Sequence, residues 1–103
     1  MKIYISADIE GISGITHWDE TEKSKSDYQK FATQMTDEVR AACEGAIKAG
    51  VKEIWIKDAH DTGRNILADE LPQMIKLVRG WSEHPFLMAV SYTHLTLPTT
   101  PYV

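Results

Sequence analysis

The sequence predicts an α/β fold built on a parallel βαβ unit. Three observations predict it. Residues 2–7 alternate apolar and polar, residues 26–49 repeat apolar side chains at spacings of three and four, and residues 51–57 form a second run rich in β-branched side chains. A strand, a long crossover helix and a second strand in one sheet force the two strands to run the same way. Such crossovers are almost always right-handed.

Each element follows from its residues. In the first strand, 2–7, Ile3, Ile5 and Ala7 share one face while Tyr4 and Ser6 share the other. It stops at Asp8-Ile9-Glu10-Gly11, and Gly11 and Gly14 break regular structure. The polar segment 16–27 reads as a surface loop. The helix over 26–49 is expected to open with a capping box of Ser26 and Gln29 and to close at Gly50 in the C′ position. Phe31, Met35, Val39, Ala42, Cys43, Ala46 and Ile47 form its apolar stripe, so Cys43 reads as a buried, unreactive thiol. In the second strand, 51–57, Ile54 and Ile56 share a face. Trp55 reads as core packed against a helix. A short helix near 66–71, stopped by Pro72, and a third strand over 73–78 complete the pattern. After Glu83 no Asp, Glu, Lys or Arg occurs, and residues 91–103 read SYTHLTLPTTPYV.

Composition narrows the function classes. A chain of 103 residues allows one small domain. A hydrophobic fraction of 43% with 25% charged residues excludes disorder, collagen and coiled coil as whole-chain answers. The net charge of −4 disfavours a nucleic-acid partner. A single cysteine excludes an internal disulfide and a cysteine-rich zinc site. No apolar run approaches the ~18 residues of a membrane span. Asp8 and Glu10 interrupt any signal-peptide core, so the expected location is cytoplasmic.

The chemistry concentrates in Asp8, Glu10, Asp58 and His60. In a parallel unit both pairs leave the C-terminal edge of the sheet, where open α/β sheets bind ligands. Adjacent strands lie about 4.8 Å apart, so one ion could bridge them. Carboxylate oxygens with one imidazole suit Zn²⁺, Mn²⁺ or similar ions. In an extended chain, Asp-x-Glu and Asp-x-His each put both side chains on one side. Alternatives stay open. The acidic residues could be structural caps of a non-enzymatic binding module, or serve a Mg²⁺-dependent phosphotransfer domain. Gly11-Ile12-Ser13-Gly14 lacks a complete phosphate-loop pattern. His17 beside Trp18 reads as a surface pair, and His84 before Pro85 as a turn.

Several motifs occur in order: Ser6-Ala7-Asp8-Ile9-Glu10-Gly11, Met35-Thr36-Asp37-Glu38-Val39, Gly45-Ala46, Ala49-Gly50, Lys57-Asp58-Ala59-His60, Arg64-Asn65, Leu71-Pro72 and Leu77-Val78-Arg79-Gly80. On these motifs the sequence resembles the D-aminopeptidase family of zinc metallopeptidases, linked with bacterial dipeptide transport, along residues 1–88. The resemblance implies a three-layer α/β/α fold with a mainly parallel sheet, of which this stretch supplies the βαβ unit and a third strand. It implies two zinc ions, other divalent metals being possible, and release of N-terminal D-amino acids from short peptides. Asp8, Glu10 and His60 fall on metal-ligand positions, with Asp8 the bridging carboxylate, and Asp58 is carried over as a partner orienting His60. A homo-oligomer is implied, with neither nucleic acid nor membrane as partner. The family's remaining ligands, a His and a Glu, and its catalytic His lie beyond the matched stretch. His94, within Tyr92-Thr93-His94-Leu95, does not match that segment, so no catalytic residue is assigned. Residues 89–103 read as a foreign tail, and the chain is expected to be an inactive fragment.

Overall fold

A computed structural model describes residues 1–81. The readings of the tail from residue 89, of His84-Pro85 and of His94 lie outside the described residues. Strand β1 (Lys2–Ala7) leads through two short 3₁₀ turns, Ile9–Gly11 and Trp18–Thr21, to helix α1 (Tyr28–Lys48). Strand β2 (Glu53–Asp58), a 3₁₀ turn (Ala68–Glu70) and strand β3 (Ile75–Val78) follow. The sheet order is β1-β2-β3, and both pairings are parallel. The expected α/β class and strand direction hold.

The register aligns Ile3 with Ile54 and Ile5 with Ile56, so one sheet face is aliphatic from strand to strand. Helix α1 covers that face. Ile54 and Ile56 are fully buried with Met35, Cys43 and Ile9. Burying such a side chain stabilises the fold by about 1.5–3 kcal/mol. The buried band runs through Tyr28, Ala32, Met35, Val39, Cys43 and Ala46, in steps of three and four. Ala42 and Ile47 flank that band and are exposed, contrary to the predicted stripe.

The helix ends as expected and begins differently. Gly50 takes φ +95°, its N–H donates to the Ile47 carbonyl at 3.0 Å, and the Val51 N–H donates to Ala46 at 3.0 Å. These two bonds satisfy the last carbonyls in a left-handed C-cap. At the other end the Ser26–Gln29 capping box does not form. Asp27 is the N-cap, already in a helical conformation, with no side-chain cap bond. Two successive turns, from the Lys25 N–H to Glu22 and from the Tyr28 N–H to Lys25, feed the chain into the helix. A capping box exists instead in the segment read as loop. The His17 side chain accepts from the Asp19 N–H while Glu20 reaches back to the His17 N–H.

Trp55 also departs from expectation. Alternation gives Ile54 and Ile56 to the helix, so the half-buried indole lies on the opposite face. There its Nε1 donates to Glu53 at 2.6 Å and Lys76 Nζ sits 5.0 Å from its ring. On the same face Lys57 is buried, donates to the Gly80 carbonyl and lies 4.1 Å from the centre of the Trp81 ring. Burial pushes its ammonium pKa down, opposed by the Asp58 carboxylate. Strand β3 starts two residues later than expected because Ile75 closes a turn onto Pro72. The helix near 66–71 is the single turn Ala68–Glu70.

Candidate metal centre

The last register pair, Ala7 with Asp58, sets the site. One step further the Ala59 N–H donates to the Ala7 carbonyl at 2.8 Å, carrying the pairing past the strand end. Asp8 and His60 therefore emerge side by side. Glu10 joins them through the turn Ile9–Gly11, not through extended alternation. The Gly11 N–H bonds the Asp8 carbonyl, and Ile9 is drawn into the core at 0% exposure. Burying Ile9 makes the chain curl, and the curl brings Glu10 back beside Asp8.

The three side chains converge. His60 Nδ1 lies 3.1 Å from Asp8 Oδ1 and 3.1 Å from Glu10 Oε1. His60 Nε2 lies 2.6 Å from the Thr21 carbonyl oxygen. A carbonyl only accepts, so Nε2 carries a proton; Nδ1 is the nitrogen left for the carboxylates, donating to them when protonated and, when neutral, free to offer its lone pair to a cation set between them. The Asp8 carboxylate beside it, and burial after that, hold the Glu10 carboxyl above its ordinary range. One donor atom from each residue lies within 4.8 Å of the others. At bond lengths of 2.0–2.2 Å, tetrahedral donors are about 3.3 Å apart. The two His60 contacts of 3.1 Å come close to that separation, and the three residues together could hold a divalent cation.

Asp58 does not bond the imidazole, whose two nitrogens are engaged as above. Its carboxylate accepts from the Asn65 N–H at 2.6 Å, the Ile66 N–H at 2.7 Å and Asn65 Nδ2 at 2.8 Å. Asn65 Nδ2 also donates to the His60 carbonyl at 2.8 Å, and the Tyr28 hydroxyl donates to Asn65 Oδ1. Asp58 reaches His60 through this loop, by way of the main chain. Thr21, Asn65 and Tyr28 were not singled out as site residues from the sequence. A polar Asn within the Arg64-Asn65 motif was a signal for one of them; a main-chain carbonyl leaves none.

The carboxylates open into a polar cleft of ≈ 710 Å³ that also touches Glu22, Lys23, Ser24 and Asp61. A second hollow of ≈ 380 Å³, lined by Ile15, His17 and Trp18, adjoins it at Glu10 and Thr21. In the Gly11–Gly14 segment the first three amides are already engaged, those of Gly11 and Ile12 by the Asp8 and Ile9 carbonyls. The Ser13 N–H donates to Glu38 Oε2 at 3.1 Å, so a carboxylate already occupies that position.

These features define a class: an α/β protein whose parallel sheet edge offers oxygen and imidazole donors to a divalent cation. The chain belongs to the D-aminopeptidase family, whose model matches residues 1–94. It is 31% identical over 88 residues to the D-aminopeptidase of Bacillus subtilis (strain 168), covering 85% of this chain and 32% of that protein. Its fold is similar, with a TM-score of 0.80 and 31% identity, to the structure described as "Zn-dependent D-aminopeptidase DppA from Bacillus subtilis, a self-compartmentalizing protease", again over 85% of this chain and 32% of the other. The chain thus spans about a third of the length of these relatives.

Proposed function

We propose that this chain supplies the Asp8–Glu10–His60 edge of a zinc-dependent aminopeptidase that releases N-terminal D-amino acids from short peptides. The observation that carries the reading is the convergence of three lone-pair donors with the imidazole proton held on the far side by Thr21. Family membership and the relatives' descriptions support the reaction and the metal.

In this reading Asp8, Glu10 and His60 Nδ1 would hold the ion. When bound, it supplies Lewis acidity that polarises the scissile carbonyl and makes water acidic enough to attack near neutral pH. The Asp8 side chain is the most exposed of the three, at 51% against 41% for Glu10 and 11% for His60, and would be the donor most open to a second ion. Asp58 and Asn65 fix the main chain at His60, and the acidic wall of Glu22 and Asp61 suits a peptide's free amine. A homo-oligomer in the cytoplasm remains part of the proposal. The oligomer, though not the location, is supported by the "self-compartmentalizing" description of the Bacillus protein. No helix among the described residues is long and apolar enough to cross a membrane.

The test is zinc calorimetry on the 103-residue chain, beside His60→Ala and a control, Asp37→Ala, on the outer face of α1. Stoichiometric binding lost only in His60→Ala is expected. Binding that is absent from the wild type, or equal in all three, overturns the reading.

A further inference from the structure

We propose that the 3₁₀ turn Trp18–Thr21 is a positioning device for the His60 imidazole. The Glu20 and Thr21 side chains build it so that the Thr21 carbonyl dictates which ring nitrogen faces Asp8 and Glu10.

The bond from His60 Nε2 to the Thr21 oxygen is short, at 2.6 Å, and buried; Thr21 is 4% exposed. The opposite tautomer would set a nitrogen lone pair against carbonyl lone pairs at that separation. The carbonyl therefore keeps a proton on Nε2 as well as holding the ring, and leaves Nδ1 to face the two carboxylates. Its own place is set by local bonds. Thr21 Oγ1 donates to the Trp18 carbonyl at 2.8 Å. Glu20 Oε1 accepts from the Thr16 N–H at 2.7 Å and the His17 N–H at 2.9 Å. His17 Nδ1 accepts from the Asp19 N–H at 3.0 Å. All four bonds lie within residues 16–21, so the turn holds its shape without help from the ligands. Just beyond it, Lys23 Nζ donates to the Arg64 carbonyl at 3.0 Å and ties the segment to the loop that carries His60. Outer partners of this kind fix the tautomer and direction of ligand imidazoles. The effect on metal affinity rests on the proposed zinc reading; the placement of the ring proton does not.

The experiment uses the metal-free 103-residue chain with ¹⁵N-labelled histidine. The expected spectrum shows His60 protonated at Nε2, with that proton protected from solvent exchange while the exposed His17 ring proton is not. In Glu20→Ala and Thr21→Val the protection is lost and zinc affinity falls roughly 10–100-fold, the range seen when such partners are removed. Glu20→Gln, which keeps an acceptor oxygen, retains both. A His60 ring without a proton on Nε2, or an unprotected Nε2 proton in the wild type, overturns the proposal. So do variants that keep both the protection and the zinc affinity of the wild type. If a variant unfolds, the wild-type ring proton and Glu20→Gln decide. If zinc binds nowhere while the Nε2 proton is protected, the metal reading fails and the positioning by Thr21 stands.

Discussion

Asp58 and Asn65 are joined twice, main chain to Oδ2 at 2.6 Å and side chain to Oδ1 at 2.8 Å. The pair closes the loop between β2 and the residues after it, and His60 sits inside that loop. Both side chains are buried. The pairing is therefore a structural requirement of the ligand loop and of the fold beneath it.

Asp58→Ala is expected to destabilise the chain by about 2–5 kcal/mol. It leaves two buried main-chain N–H groups, at Asn65 and Ile66, without an acceptor, and each costs about 1–3 kcal/mol. Urea unfolding measures it. A loss below about 1 kcal/mol would mean that water or a shifted loop takes over the role.

Gly63→Ala should be costly while Gly11→Ala is nearly neutral. Gly63 has φ +69°, and an added Cβ would stand 2.8 Å from the Gly80 nitrogen and 2.9 Å from its Cα. The left-handed conformation alone costs about 1–2 kcal/mol. Relief of the clash would break the bond from the Gly80 N–H to the Gly63 carbonyl, 2.7 Å long. At Gly11 nothing lies within 4 Å of the new Cβ. Thermal unfolding of both variants checks the contrast; equal shifts would refute it.

Glu10→Gln should raise the melting temperature of the metal-free chain at pH 7 and lose that advantage near pH 4. The Glu10 carboxyl sits above its ordinary value of 4.5, chiefly because of Asp8. Folding thus favours its protonated form. That contribution is complete below the unfolded pKa and disappears as pH rises through the folded one. At pH 7 the wild type carries two facing carboxylates, and the amide removes one charge. Zinc should reverse the order, since only the wild type keeps the donor. Identical melting curves at pH 7 without metal would contradict this.

Much of the fold was legible because it rests on local periodicity. The bounds of β1 and the ending of α1 at Gly50 follow from a period of two and a glycine in the C′ position. The Asp8, Glu10 and His60 grouping was legible because parallel strands bring their ends to one edge. The start of α1 was not, since Ser26 and Gln29 have the right identities but the turns at Glu22 and Lys25 already fix the entry. Trp55 was misread because alternation gives an aromatic to one face without saying which face the helix covers. The role of Thr21 was invisible, because a main-chain oxygen meets a ring 39 positions away whatever side chain it carries.

The 103-residue chain is expected to release D-alanine from a D-alanyl dipeptide far below about 1 s⁻¹, even with added zinc. Three protein donors satisfy one zinc with an open position. Among the described residues a second ion would have only a share of Asp8. Turnover at about 1 s⁻¹ that vanishes in His60→Ala would prove the three-donor edge sufficient.

The separation of Asp8 and His60 by 52 positions gives their meeting a mechanical meaning. A cation gripped by both is a removable cross-link around the whole crossover. A covalent tie closing a loop of that length withdraws about 4 kcal/mol of chain entropy from the unfolded state. A chelator would then act on this chain as a reductant acts on a disulfide protein, loosening the strand–helix–strand unit while leaving every hydrophobic contact available for re-closure.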